Sequence, residues 1–325
     1  SATAYTSTGA ARYVNPPWYA MVMIPLSWIP FAWLYPLWTG AGLVIGALAI
    51  RKLKMPDPYR VGALILLSAS AFLAVYYGQN TFFMVAILTL VVLALERGAM
   101  MIGGIGLAFI GFKPHLLLGI ALWWITDFKR MKVAISWVLG VTFVLAVVSA
   151  LWMPGSWREF FNAISDPDVL VMPSKEVSVV SAVRLLFAGF PAVIFVSGVL
   201  IVGAIALALV LTVRRNADDI PYVAAMAIAG SLLIAPRALV YDWLLLVVAG
   251  AVILWAGFVS VRNVAIAGAL LAVALPIGDF LTELQLDAFD RALHIAPLVL
   301  LAVFVWGLRR GGVLAPSRVV AQAAP

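Results

Sequence analysis

Long unbroken apolar runs, separated by short polar clusters, fill the chain from about residue 30 to residue 308. The runs do not alternate apolar and polar positions, which removes the signature of a transmembrane β-barrel. At about twenty apolar residues per bilayer crossing, they predict helices near 30–50, 60–77, 80–95, 98–112 and 114–126. Further helices are expected near 133–152, 190–213, 220–235, 240–259, 262–278 and 292–308. The expected fold is all-α, a polytopic transmembrane helical bundle of about eleven helices. Two of them, 98–112 and 114–126, are short and flank Pro114, so they are expected to tilt, stop short or re-enter. Residues 16–28 are apolar but carry three prolines, which predicts a short interfacial helix and not a span. One membrane domain is expected over 30–310, after an outer-face segment at 1–29 and before a tail at 311–325.

Composition sharpens the class. Of the 325 residues, 65% are hydrophobic and 11% charged, with mean hydropathy +1.11. A soluble domain is about half apolar and about a quarter charged, so a water-facing surface is excluded. The 12 Trp, 17 Phe and 9 Tyr suit interfacial belts. A net charge of +7 does not point to nucleic acid, because the cations sit in short loops and form no basic face. Without cysteine there is no disulfide, thiolate ligand or cysteine nucleophile. With only His115 and His294 as histidines, no metal site and no cofactor is expected.

Loop charge predicts orientation. Residues 51–60, 96–97, 127–132, 214–219, 262 and 309–318 hold 14 Lys and Arg against 5 acidic residues, and the opposite loops hold 7 against 9. The first set is expected in the cytoplasm together with the C-terminus, and the second outside. Residue 1 then lies outside, although residues 1–15 contain neither a signal peptide nor a span. That combination predicts a further helix and loop upstream of Ser1. The longest outer loop, 153–189, mixes Trp152, Trp157, Phe160 and Phe161 with Asp166, Asp168, Lys175 and Glu176. It reads as an amphipathic segment on the bilayer or as a connecting loop with interfacial anchors.

Polar residues within apolar spans are costly and are therefore functional candidates. Four groups stand out, all toward the outer side. In Tyr76-Tyr77-Gly78-Gln79-Asn80, Gln79 and Asn80 could bind a hydroxyl-rich ligand or cap the next helix. In Gly111-Phe112-Lys113-Pro114-His115, Pro114 breaks a helix and leaves Lys113 and His115 at the break. Lys113 there suits a phosphate, or snorkels to headgroups. In Pro236-Arg237-Ala238-Leu239-Val240-Tyr241-Asp242, Arg237 suits an oxyanion and Asp242 a base, or the two form a structural pair. The fourth group, Asp279, Glu283, Asp287, Asp290 and Arg291 with His294, reads mainly as a solvated acidic loop. Phosphate-loop, HExxH, GxSxG and dinucleotide-binding patterns do not occur in a usable context. Cations and amides converging on one edge suit a lipid-linked phosphate with a polar head.

In their order, several of these segments resemble glycosyltransferase family 87, the polyprenyl-phosphate-sugar-dependent membrane transferases that include bacterial mannosyltransferases. Residues 13–38 are similar to its Tyr-x-x-Pro-Pro segment, residues 76–80 to its Gly-Gln-Asn turn and residues 111–117 to its Lys-Pro segment. Asp127-Phe128-Lys129-Arg130 fits the basic end of the following helix, and Pro236-Arg237 with Tyr241-Asp242 its late element. The likeness runs from about residue 13 to 260.

The resemblance implies the GT-C architecture in a bacterial cytoplasmic (inner) membrane, with an active face toward the periplasm or exterior. It implies a polyprenyl-phosphate-linked sugar donor, mannosyl in sugar, a lipid or glycan acceptor, and inverting transfer. On the residues, it implies that Lys113 and Arg237 neutralise the leaving phosphate and that Gln79 and Asn80 position sugar hydroxyls. His115, Tyr241 and Asp242 would orient the site. The catalytic carboxylate is expected in a first outer loop, upstream of Ser1, which leaves Asp242 as the base candidate within the chain. Two other classes compete. One is a non-catalytic subunit on the same scaffold that binds lipid or a membrane protein complex. The other is a transporter, which would place charges near the midplane of repeated halves; here they gather at one edge and no repeat is visible.

Overall fold

A computed structural model describes residues 15–54, 69–165, 177–187, 189–258, 260, 262–264, 266–268 and 295–310. Among the described residues every regular element is helical, so the all-α bundle is found. Helix α1 (Pro17–Met23) runs into a 3-10 helix at Ile24–Trp28, followed by α2 (Phe31–Arg51), α3 (Ala69–Tyr76), α4 (Thr81–Glu96) and α5 (Met100–Ile110). A 3-10 helix at Pro114–Leu117 leads into α6 (Leu118–Thr126), then α7 (Phe128–Trp152), α8 (Ser156–Ser165), α9 (Val179–Leu186) and α10 (Pro191–Arg215). Next come α11 (Ile220–Ile234), a 3-10 helix at Val240–Leu245, α12 (Leu246–Trp255) and α13 (Ile295–Arg310). The acidic group from Asp279 to His294, most of the expected helix 262–278, and residues 1–14 and 311–325 lie outside the described residues.

Among the described residues, three helices are long and apolar enough to cross a membrane: α2, α7 and α10, of 21, 25 and 25 residues. The other apolar helices with 10 to 17 residues fall short. Helix α4, at 16 residues, is about 24 Å long against a hydrocarbon layer of about 30 Å. The reason is local. Positions that the hydropathy pattern assigns to spans are taken up by helix breaks at 111–117 and 235–245, which carry the polar groups.

Hydrophobicity is distributed inside out. In α7 and α10 only 11% of the apolar window is buried, so their outer faces suit lipid. All fifteen residues of α11 are buried, as expected of a helix that is apolar all round. Close packing around α11 depends on small residues. A Cβ on Gly119 would strike the Ala227 carbonyl. The Gly119 N–H, one of the donors left without an intrahelical partner at the start of α6, donates to Ser231 Oγ at 2.8 Å. Gly104 lies equally close to the Ala134 carbonyl where α5 crosses α7.

Charged groups are found at both ends of α11, about 22 Å apart. At the Ile220 end, Arg130 bonds Asp218 at 2.6 Å and the Ala217 carbonyl, and lies 3.7 Å from Asp127. Asp219 caps α11 by accepting the Tyr222 N–H at 3.1 Å, and with Glu96 and Asp218 it lines a cleft of 350 Å³. The expected short helix at 16–28 is present as α1 and its 3-10 continuation. Its first turn is an internal element, since Trp18 and Tyr19 belong to the buried core.

Candidate functional site

At the other end of α11, the helix stops at Ile234 because Ala235 precedes Pro236 and takes an extended conformation, ψ 130°. The chain turns back into the 3-10 helix at Val240 through a reciprocal pair of bonds. Asp242 N–H donates to the Leu239 carbonyl at 2.8 Å, and Leu239 N–H donates to Asp242 Oδ2 at 3.0 Å. A second segment straps this turn. Val177 N–H donates to the Ala238 carbonyl at 2.6 Å, and the Trp243 indole N–H to the Val177 carbonyl at 2.9 Å.

Helix α5 ends at Ile110, and the break before Pro114 carries Lys113 in a non-helical conformation, φ −125° and ψ 65°. Lys113 Nζ donates to Asp242 Oδ1 at 2.7 Å, with the lysine 12% and the aspartate 2% exposed. The ammonium also lies 4.8 Å from the centre of the Tyr241 ring, within cation–π range. His115, half-buried, is within electrostatic range of Asp242, Lys113 and Arg237. Tyr241 is likewise within range of Asp242, Arg237 and Tyr77. Five residues singled out in the sequence, Lys113, His115, Arg237, Tyr241 and Asp242, therefore meet in one place although 129 positions separate the ion pair. Asp242 has both oxygens engaged, and its ion pair is made with Lys113.

The two amides of the Gly-Gln-Asn turn part company. Gln79, partly exposed, reaches back to the Tyr77 carbonyl at 3.5 Å, and the Tyr77 ring stands 6.3 Å from Tyr241. Asn80 is 8% exposed and precedes α4, yet its side chain makes no capping bond. Its amide donates to the Tyr19 hydroxyl at 2.8 Å, while Oδ1 has no partner among the described residues. Tyr19 in turn stacks on Phe112, 4.5 Å between ring centres, immediately before Lys113. Tyr19 thus joins the Gly-Gln-Asn turn to the lysine break. Sequence reasoning gave no role to Tyr19, Phe112, Val177 or Trp243. The available signal was two large aromatics directly after Pro16-Pro17, in a segment read as interfacial.

Among the described residues, no group of three or more His, Asp or Glu side chains could hold a metal ion. The site offers instead two basic side chains, an imidazole and phenol rings around one carboxylate, a set suited to an anionic head attached to an apolar body.

A helical bundle whose long apolar helices are largely unburied defines a membrane-embedded protein. The chain belongs to glycosyltransferase family 87, which it matches over residues 13–236. It is therefore a membrane glycosyltransferase by family. The matched region contains Gln79, Asn80, Lys113 and His115 and stops just before Arg237, so the ion pair joins a residue within it to one beyond it. Comparison with curated proteins and with solved structures returns no match.

Proposed function

We propose that the protein transfers a sugar, mannosyl by the resemblance, from a polyprenyl-phosphate donor to a lipid or glycan acceptor on the outer face of a bacterial cytoplasmic membrane. The observation that carries this reading is Lys113, 12% exposed and held at 2.7 Å by Asp242, beside Arg237 and His115 at a helix break. A cation fixed in such a place is prearranged for a phosphate that gains charge as the glycosyl bond breaks. The acceptor oxygen bonds to the anomeric carbon, the bond from that carbon to the phosphate oxygen breaks, and the acceptor proton passes to a base. Lys113 and Arg237 neutralise the departing phosphate, and His115 and Gln79 orient the head. We assign Asp242 to holding Lys113 and not to taking the proton, because both its oxygens are already hydrogen-bonded. Asn80 acts from beneath the turn through Tyr19. The excess of Lys and Arg in the loops at the Ile220 end of α11 supports placing that end in the cytoplasm.

The test is glycosyl transfer from a polyprenyl-phosphate sugar by the full chain in vesicles, with Lys113→Ala as the variant. Transfer is expected to fall at least about a hundredfold while membrane insertion is retained. Undiminished turnover in an inserted Lys113→Ala protein removes the phosphate assignment.

A further inference from the structure

The rings around Lys113 do not stop at Tyr241. Tyr241 is followed by Tyr77 at 6.3 Å, Tyr77 by Tyr76 at 5.1 Å, and Tyr76 by Phe72 at 6.2 Å with planes 16° apart. Phe72, Tyr76 and Tyr77 are 66%, 64% and 42% exposed. The file therefore begins at the ammonium and runs out along the open side of α3. From Tyr77 to Phe72 it descends about 7 Å along the helix axis, away from the polar turn and toward hydrocarbon depth. Its chemistry is graded in the same direction. The three rings nearest the charge are phenols, which sit at headgroup level with the hydroxyl wet, and the deepest is the purely apolar Phe72.

The file is also held in place. The Tyr35 hydroxyl, from α2, donates to the Val75 carbonyl at 2.6 Å. Gly78 takes φ +60°, and a Cβ there would come within 3.2 Å of the Tyr35 ring. That turn fixes where α3 ends and so where Tyr76 and Tyr77 point from.

We infer that Phe72, Tyr76 and Tyr77 form the binding track for the isoprenoid tail of the lipid-phosphate donor, laid against α3 with its anionic head at Lys113. The inference rests on the phosphate reading of Lys113. It commits to the tail and not to the sugar, because an anion fixed at Lys113 must send its apolar chain into the bilayer. The ring file supplies a continuous apolar surface from that point inward, and unsaturated isoprene units stack on aromatic faces.

The full chain in phosphatidylcholine nanodiscs is titrated with a long-chain polyprenyl phosphate and with geranyl phosphate. The proteins are wild type, Phe72→Ala, Tyr76→Ala, and the double variant Lys113→Gln with Asp242→Asn, which leaves no unpaired buried charge. Phe72→Ala and Tyr76→Ala are expected to weaken the long-chain ligand about five- to tenfold and geranyl phosphate less than about twofold. Equal losses for both ligands overturn the track, since the rings then serve the head or the fold, and unchanged long-chain binding overturns it as contact with bulk lipid only. Loss of the long-chain preference in a variant whose thermal unfolding has also shifted counts against it too. The Lys113→Gln, Asp242→Asn protein separates the two readings. Weakened binding of both ligands keeps the phosphate assignment whatever the rings do, and undiminished binding of both removes it.

Discussion

The Lys113–Asp242 pair yields a prediction whose size follows from its burial. Asp242 is 2% exposed and Lys113 12%, so the two single neutral variants are not equivalent. Lys113→Gln removes the cation that is hydrogen-bonded to a buried carboxylate, at a cost of about 3–5 kcal/mol. Asp242→Asn still accepts the Leu239 N–H, and the lysine it releases can lift its ammonium toward the membrane surface. That change should cost about 1–2 kcal/mol. The double variant restores a neutral hydrogen-bonded contact, so the cycle should close with a coupling of about 2–3 kcal/mol. Unfolding of the four proteins in one detergent measures the cycle. Transfer measured on the same samples separates stability from function. Lys113→Gln and the double variant should both lose about a hundredfold or more in kcat/KM, and Asp242→Asn about tenfold, through loss of lysine position. Additive stability losses, or an Asp242→Asn variant as inactive as Lys113→Gln, would refute the reasoning, the second result by making Asp242 a participant in the chemistry.

Other expectations follow from single contacts. Gly119→Ala forces a methyl against the Ala227 carbonyl and breaks the bond to Ser231; a loss of about 3 kcal/mol is expected, and an unchanged melting curve refutes it. Tyr19→Phe keeps the stack on Phe112 but removes the acceptor of the Asn80 amide, at about 1–3 kcal/mol. Adding Asn80→Ala to it should cost little more, which the same unfolding assay checks. Burial holds the Asp219 carboxyl above its ordinary 3.8, against the opposing Tyr222 N–H. The folded chain therefore binds that proton more readily than the unfolded one, and stability falls as pH rises from 3.8 through the raised value. Asp219→Asn keeps a cap and removes the charge, so thermal stability at neutral pH should rise and its acid-side slope flatten; an unchanged pH profile contradicts this.

Which parts of this molecule were legible depends on what each feature costs. Ionisable groups are expensive in hydrocarbon, so their positions alone separated the loops into two sets. The structure gathers Arg130, Asp218 and Glu96 at one end of α11 and Lys113, Arg237 and Asp242 at the other. Hydropathy also located the long apolar helices, α2 at 31–51, α7 at 128–152 and α10 at 191–215, but not α8 and α9, which lie in the stretch read as an outer loop or an amphipathic segment. It did not report helix lengths, because a 3-10 turn at Pro114–Leu117 or Val240–Leu245 is as apolar as a span. Nor did it report that α11 is wholly enclosed while α7 and α10 are not, since all three are apolar on every side.

Partnership was the least legible level, and the reason is geometric. Lys113 and Asp242 are 129 positions apart, and no spacing rule links them. With Arg237 only five positions from Asp242, a local reading favours that pair, yet the reciprocal Leu239–Asp242 turn leaves Oδ1 for the lysine of a different helix break. The same logic explains Tyr19. An aromatic residue after two prolines looks like an interfacial anchor until the fold brings Asn80 and Phe112 to it. A membrane bundle meets its backbone hydrogen bonds inside each helix, so the places where helices break are where side chains must do the joining. Two breaks, strapped by Val177 and by Tyr19 and bridged by one ion pair, make the cluster a single mechanical unit. Loosening any strap should therefore move Lys113 before it unfolds the chain.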